Sequence, residues 1–115
     1  MAPLFSAFGP EPIKERIARA DGSTVITTPK LLPKINEIRD QLPSLKRVIV
    51  IHHREGADVN DSDISYSEIV DPASEEFEIE PTGAEDWSVM HFTSGTTGLP
   101  KGAAHVHSAI VSQYA

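Results

Sequence analysis

The 115-residue sequence predicts an α/β fold in which parallel strands with covering helices are followed by a strand–Gly-rich loop–strand unit. Three observations predict it. The first half runs in the order helix, strand, helix, strand, which builds a parallel sheet with helices laid over it. Its two strand candidates, "STVITT" and "KRVIVIHH", are short and dense in β-branched residues, as buried strands are. Farther on, "HFTSGTTGLPKGAAHVH" at residues 91–107 sets three glycines and a single lysine between two apolar stretches.

The elements follow in order. "PEPIKERIARADG" reads as a helix, with Pro12 in the first turn, Ile13, Ile17 and Ala20 on one face, and Gly22 where a C-terminal cap belongs. "STVITT" is a short buried strand. "PKLLPKINEIRDQLP" predicts a second helix, with Pro33 near its start, Ile35, Ile38 and Leu42 on one side, and Pro43 ending it. "KRVIVIHH" is apolar enough to be covered on both faces. Beyond it, "REGADVNDSD" is loop, "ISYSEIV" a short helix and "DPASEEFEIEPTGAED" a solvated connection. "WSVMHF" and "GAAHVH" read as strands on either side of the glycine loop, and Trp87 as a core residue. "SAIVSQYA" has helical spacing with Ser108 as its N-cap. The organisation is thus residues 1–53 as helix/strand units, 54–86 as an acidic connection, and 87–115 as the loop unit.

Composition narrows the function. A hydrophobic fraction of 39% with 23% charged residues is globular. No apolar run approaches the ~20 residues that span a bilayer. "MAPLFSAFGPEP" lacks the basic start and apolar core of a secretory signal. Cysteine is absent, which excludes disulfides, zinc–thiolate sites and a thiol nucleophile. These features predict a cytoplasmic chain. A net charge of −7 argues against nucleic acid and anionic membranes as partners. Residues 55–86 hold twelve of the seventeen acids and no Lys or Arg, whereas residues 87–115 carry one formally charged side chain, Lys101.

The loop has the chemistry of a phosphate site. Gly95, Gly98 and Gly102 free the backbone, positive φ included, so that N–H groups converge on an anion. Thr93, Ser94, Thr96 and Thr97 add hydroxyl donors, and Lys101 adds the positive charge. A hydrogen bond to a charged oxygen contributes about 1.5–3 kcal/mol, so a few of them hold a polyphosphate. The pattern is not the G-x-x-x-x-G-K-[ST] loop of common NTPases, because Lys101 follows Pro100 and precedes Gly102 with no hydroxyl residue after it. Pro100 disfavours helix at Leu99, so a loop between two strands is predicted. On composition alone, a plain hairpin connection competes with phosphate binding.

The ordered string "FTSGTTGLPKG" decides between these readings. It closely resembles the signature loop of the adenylate-forming enzymes, which include acyl-CoA synthetases, luciferases and peptide-synthetase adenylation domains. "PLFSAFGPEPIKERIARADGSTVITT" looks like the segment preceding that loop, and "KGAAHVHSAIVSQYA" is similar to its continuation in acetyl-CoA synthetases. Ala103 departs mildly from the usual larger hydrophobic residue there. The resemblance implies part of the large N-terminal, AMP-binding domain of that fold. It also implies an AMP-forming carboxylate–CoA ligase acting on acetate or another short-chain acid, with ATP and Mg2+, and with CoA as co-substrate. Thr93, Ser94, Gly95, Thr96, Thr97 and Gly98 would cradle the β- and γ-phosphates. Lys101 would be the catalytic residue, meeting the leaving pyrophosphate. Replacing Gly98 with Val would then harm the loop through steric obstruction.

The same resemblance places the adenine, ribose and magnesium motifs and the mobile C-terminal domain downstream of this loop. The chain is therefore expected to be a fragment, inactive alone, whose partner is the remainder of a synthetase, with a split gene, a truncated frame or an incomplete sequence as its origin. A non-enzymatic ATP- or pyrophosphate-binding module is the alternative. A metal site built from His91, His105 and His107 is conceivable, but no carboxylate lies near in sequence and no metal ligand is assigned. His107 matches a position near the substrate end of the family's site, with support of loop and helix as its plain role. His52 and His53 end a strand and are read as structural.

Overall fold

The computed structural model describes residues 1–51, 60–94 and 98–113. The chain forms two compact units, one over Ser6–Glu75 and one joining Met1–Phe5 to Glu76–Ala115.

The first unit opens with α1, Pro10–Arg19. Gly9 precedes it in extended conformation, Pro10 takes the first helical position, and Arg16 and Arg19 fill the last turn, where the helix dipole favours cations. Ile13 and Ile17 are its buried face. Its end differs in detail from the sequence reading. Asp21, not Gly22, holds the left-handed position at φ 48°. The Asp21 N–H donates to Ala18 O at 3.2 Å and the Gly22 N–H to Ile17 O at 2.9 Å, the paired bonds of a Schellman cap. Gly22 is needed for closeness: a Cβ there would lie 3.2 Å from Ile17 Cγ2. Arg16 lies over the Phe8 ring, 4.1 Å from its centroid, and donates to Pro12 O. Lys34 donates to Ser6 O and Phe8 O, tying the same leading segment down from the other side.

Strands β1 (Thr24–Thr27), β2 (Arg47–Val50) and β3 (Ile64–Ser65) form a parallel sheet in that order. Val25 pairs with Val48 and Thr27 with Val50, so these four share a face; Val48, Val50 and Thr27 are buried on it. The opposite face carries Ile26, Ile49 and Ile64 in one register row. In β2, Val48 and Val50 are buried whereas Ile49, and Ile51 just beyond the strand, are half-buried, so the cover expected on both faces is full on one and partial on the other. Ile26 of β1, read as part of a buried strand, is 58% exposed. The buried residues of the unit's helices and of the face carrying Val48, Val50 and Thr27 make up its core.

The predicted second helix is broken. It appears as α2, Leu32–Asn36, followed by a 3-10 turn over Arg39–Gln41. After Glu37 N–H to Pro33 O, the bonds shorten by one residue, with Ile38 bonding to Ile35, Gln41 to Ile38 and Leu42 to Arg39. Side chains three apart eclipse in that geometry. Leu32, Ile35 and Ile38 therefore stack toward the sheet, each at most 4% exposed, with Leu42 buried beyond them. Arg39 anchors the break, donating to Asn36 Oδ1 at 3.0 Å and pairing with Asp63 at 2.6 Å. Asp63 also accepts from the Asn60 N–H. The β3 strand leads directly into α3, Tyr66–Val70, the short helix read from "ISYSEIV".

Residues 71–86 are exposed throughout and contain no helix or strand, as a solvated connection should. The second unit is built on β4 (Trp87–Ser94), β5 (Pro100–Val106) and α4 (His107–Ser112). Met1 pairs along the outer edge of β4: its ammonium donates to Ser88 O and its carbonyl accepts the Met90 N–H. Ser108 is not the N-cap of α4. Val106 precedes the helix, and its first N–H groups are satisfied by main-chain carbonyls, His107 to Asp86 and Ser108 to Ala84. No helix among the described residues is long and apolar enough to cross a membrane.

Candidate functional site: the β4–β5 hairpin

Strands β4 and β5 are antiparallel, with Thr93 opposite Lys101 and Ser94 opposite Pro100. The strand–loop–strand arrangement expected from Pro100 is the one observed. Both strands reach farther into the glycine stretch than the sequence suggests, because Thr93, Ser94, Pro100 and Lys101 are all ladder residues. Pro100 is buried, whereas Thr93, Ser94, Gly98, Leu99 and Lys101 are exposed. Lys101 is thus held by its backbone at the mouth of the loop with its side chain in solvent. The Thr93 hydroxyl points across the ladder to Lys101 O at 3.5 Å, a long contact that leaves it available to a stronger acceptor. Gly95, Thr96 and Thr97 lie outside the described residues, as do His52 and His53.

The glycines differ in what they do. Gly98 has φ +82°, a conformation side chains resist, yet no described residue lies within 4 Å of a Cβ built on it. The expected steric obstruction by a larger residue is therefore replaced by backbone strain as the physical cause of harm. Gly102 is different again. It sits inside β5 opposite Phe92, and a Cβ there would come within 3.0 Å of Met90 Sδ and 3.4 Å of Phe92 Cε1. Its value is close approach: Met90 and Phe92 come near the strand where position 102 has no side chain.

Alternation sorts the hairpin into two faces. Met90, Phe92, Gly102 and Ala104 form the apolar one. Val89, His91, Thr93, Lys101, Ala103 and His105 form the other, which carries the polar groups. On it the His91 and His105 rings meet edge to face, centroids 5.4 Å apart. His107 stands apart from that pair, as the first residue of α4. Among the described residues no group of three or more His, Cys, Asp or Glu is placed to hold a metal ion. Trp87 is 75% exposed, not core: it opens β4 opposite Val106, beside an irregularity between Trp87 and Val89, and no described side chain covers it. Sequence reasoning missed the roles of Met90 and Phe92. Their two-residue spacing was visible, but their position over Gly102 depends on register.

The profile of the AMP-binding enzyme family matches residues 1–115. The chain belongs to the AMP-binding enzyme family. Among curated relatives, the acetyl-coenzyme A synthetase of Bacillus subtilis (strain 168) is 38% identical over 112 residues, covering 97% of this chain and 19% of that protein. An acyl-CoA synthetase of Brucella canis superimposes with a TM-score of 0.81 at 31% identity, covering 96% of this chain and 19% of the other. The anthranilate CoA ligase AuaEII, solved in complex with anthranoyl-AMP, shares the fold with a TM-score of 0.85 at 24% identity, covering 97% of this chain and 21% of the ligase. The chain thus spans about a fifth of the length of the AMP-binding enzymes it matches.

Proposed function

We propose that this chain supplies the pyrophosphate-gripping hairpin of an AMP-forming carboxylate–CoA ligase. The observation that carries the reading is the placement of Lys101 directly opposite Thr93, with Gly98 at positive φ in the turn between the two strands. In the reaction a carboxylate oxygen attacks the α-phosphorus of ATP, the bond to the bridging oxygen breaks, and pyrophosphate leaves as the acyl-adenylate forms. The sulfur of CoA then attacks the acyl carbon and AMP departs. This chain's share is electrostatic. Thr93, Ser94, Gly95, Thr96, Thr97 and Gly98 hold the β- and γ-phosphates, and Lys101 meets the charge that grows on the leaving group. Acetate or another short-chain acid is the proposed substrate, on the strength of the similarity to acetyl-coenzyme A synthetases. A cytoplasmic setting and an acidic connection over residues 54–86 complete the reading.

The change Lys101→Ala, carried into an intact relative, is expected to slow single-turnover adenylation by roughly 10²–10³-fold, the range for loss of one preorganised charge contact. An unchanged rate would remove Lys101 from the mechanism. For the chain itself, we propose binding of pyrophosphate without carboxylate-dependent exchange of pyrophosphate into ATP. Exchange catalysed by the purified chain would refute the inactivity of the fragment.

A further inference from the structure

We propose that His91 and His105 are positioning residues that lock the hairpin register and thereby fix where Lys101 is presented; this rests on the phosphate reading of the loop. The two imidazoles form a diagonal pair. His91 stands opposite Ala103, and His105 opposite Val89. The methyl group of Ala103 leaves the space above it open, and the His91 ring reaches across to His105, edge to face at 5.4 Å and 75°. Diagonal neighbours on a twisted antiparallel pair lie within reach of ring side chains, and ring pairs stabilise one alignment over its neighbours.

Alignment matters here for a geometric reason. A slip of one residue would send Lys101 to the Met90–Phe92 face. A slip of two would keep the face but carry Lys101 about 7 Å along the strand, away from Thr93. Most other features of this ladder discriminate poorly among registers, because Ala103, Ala104 and Gly102 offer little shape to match. Two features do discriminate: the Met90 and Phe92 contacts over Gly102 on one face, and the His91–His105 contact on the other. The imidazoles stand on the same face as Thr93 and Lys101, two and four ladder rows from them. Their ring contact is with each other, so their effect on phosphate passes through the backbone.

The test uses the full chain and the variants His91→Ala, His105→Ala, the double variant and His91→Phe. Cross-strand proton contacts between Thr93 and Lys101, amide protection along β5, and affinity for inorganic pyrophosphate are measured together. Each alanine variant is expected to lose amide protection and pyrophosphate affinity by about 2- to 10-fold, the worth of one ring pair. The double variant should lose no more than either single one, and His91→Phe should restore both quantities. Additive losses, or affinity lost with the Thr93–Lys101 contact and β5 protection intact, would make the imidazoles direct phosphate ligands and overturn the proposal. If the parent chain shows no affinity for pyrophosphate, the phosphate reading fails. The register lock is then read from protection alone, supported by loss in the alanine variants with recovery in His91→Phe and overturned by no change.

Discussion

Two of the described residues hold left-handed backbone for different ends, and they respond differently to substitution. Gly98 sits at φ +82° with no described residue close to where a Cβ would stand. A valine there costs about 1–3 kcal/mol of local strain, while an asparagine tolerates the conformation. Gly98→Val is therefore expected to weaken pyrophosphate binding by at least tenfold, and Gly98→Asn by much less; equal losses in titration of the two variants would point to crowding after all. Asp21 bears the same conformation without glycine's freedom, at φ 48° behind α1. Asp21→Gly should stabilise the cap by about 0.5–1 kcal/mol and raise the unfolding midpoint by a few degrees in a thermal melt. The sequence pointed to Gly22 because glycine is the usual left-handed residue. The offset of one was hidden because Gly22 is reserved for its close approach to Ile17.

At the scale of elements, local patterning was the readable part. Ile13 and Ile17 declare α1, and the β-branched runs declare β1 and β2. The glycine string showed the site as a strand–loop–strand unit before any register was known. The break in the second helix was not readable, since its apolar spacing of three and four residues suits an α-helix as well as α2 followed by a 3-10 turn. What selects the break is a distant partner: Arg39 pairs with Asp63, whose side chain is 0% exposed, twenty-four positions along the chain. Removing the carboxylate leaves a partly buried guanidinium without its counter-charge, at a cost of about 2–4 kcal/mol. Asp63→Ala should lower the denaturation midpoint accordingly and speed amide exchange at Gln41 and Leu42. Replacing Arg39 and Asp63 together with apolar residues should recover much of the loss, because the desolvation of the unpaired charge then disappears.

Across the whole molecule, burial is uneven. The described aliphatic residues with the least exposure, from Ile13 to Val50, all belong to the Ser6–Glu75 unit. The hairpin unit instead exposes Trp87, Leu99 and Val111. Trp87 reads as core because a tryptophan beginning an apolar strand is usually covered, and Ile26 reads as buried because it lies in a short β-branched strand. In both cases the cover depends on what lies over the element, which periodicity does not encode.

The exposed stretch over residues 71–86 has a consequence for anyone handling the protein. It contains Glu75, Glu76, Glu78, Glu80 and Glu85, all solvent-exposed and outside any helix or strand. Proteases bind substrates as extended chain, so a glutamate-specific endoprotease should cut there first. Mass spectrometry of a brief digest is expected to show two main pieces meeting near Glu75–Glu80. Early scission inside α1 at Glu11 or Glu15 would instead mean that the better-packed half opens first. The acidic stretch then becomes a practical point of scission. It yields one piece with the helices and sheet that keeps Met1–Phe5 and one piece with the phosphate hairpin, held together by such contacts as Met1 makes with β4.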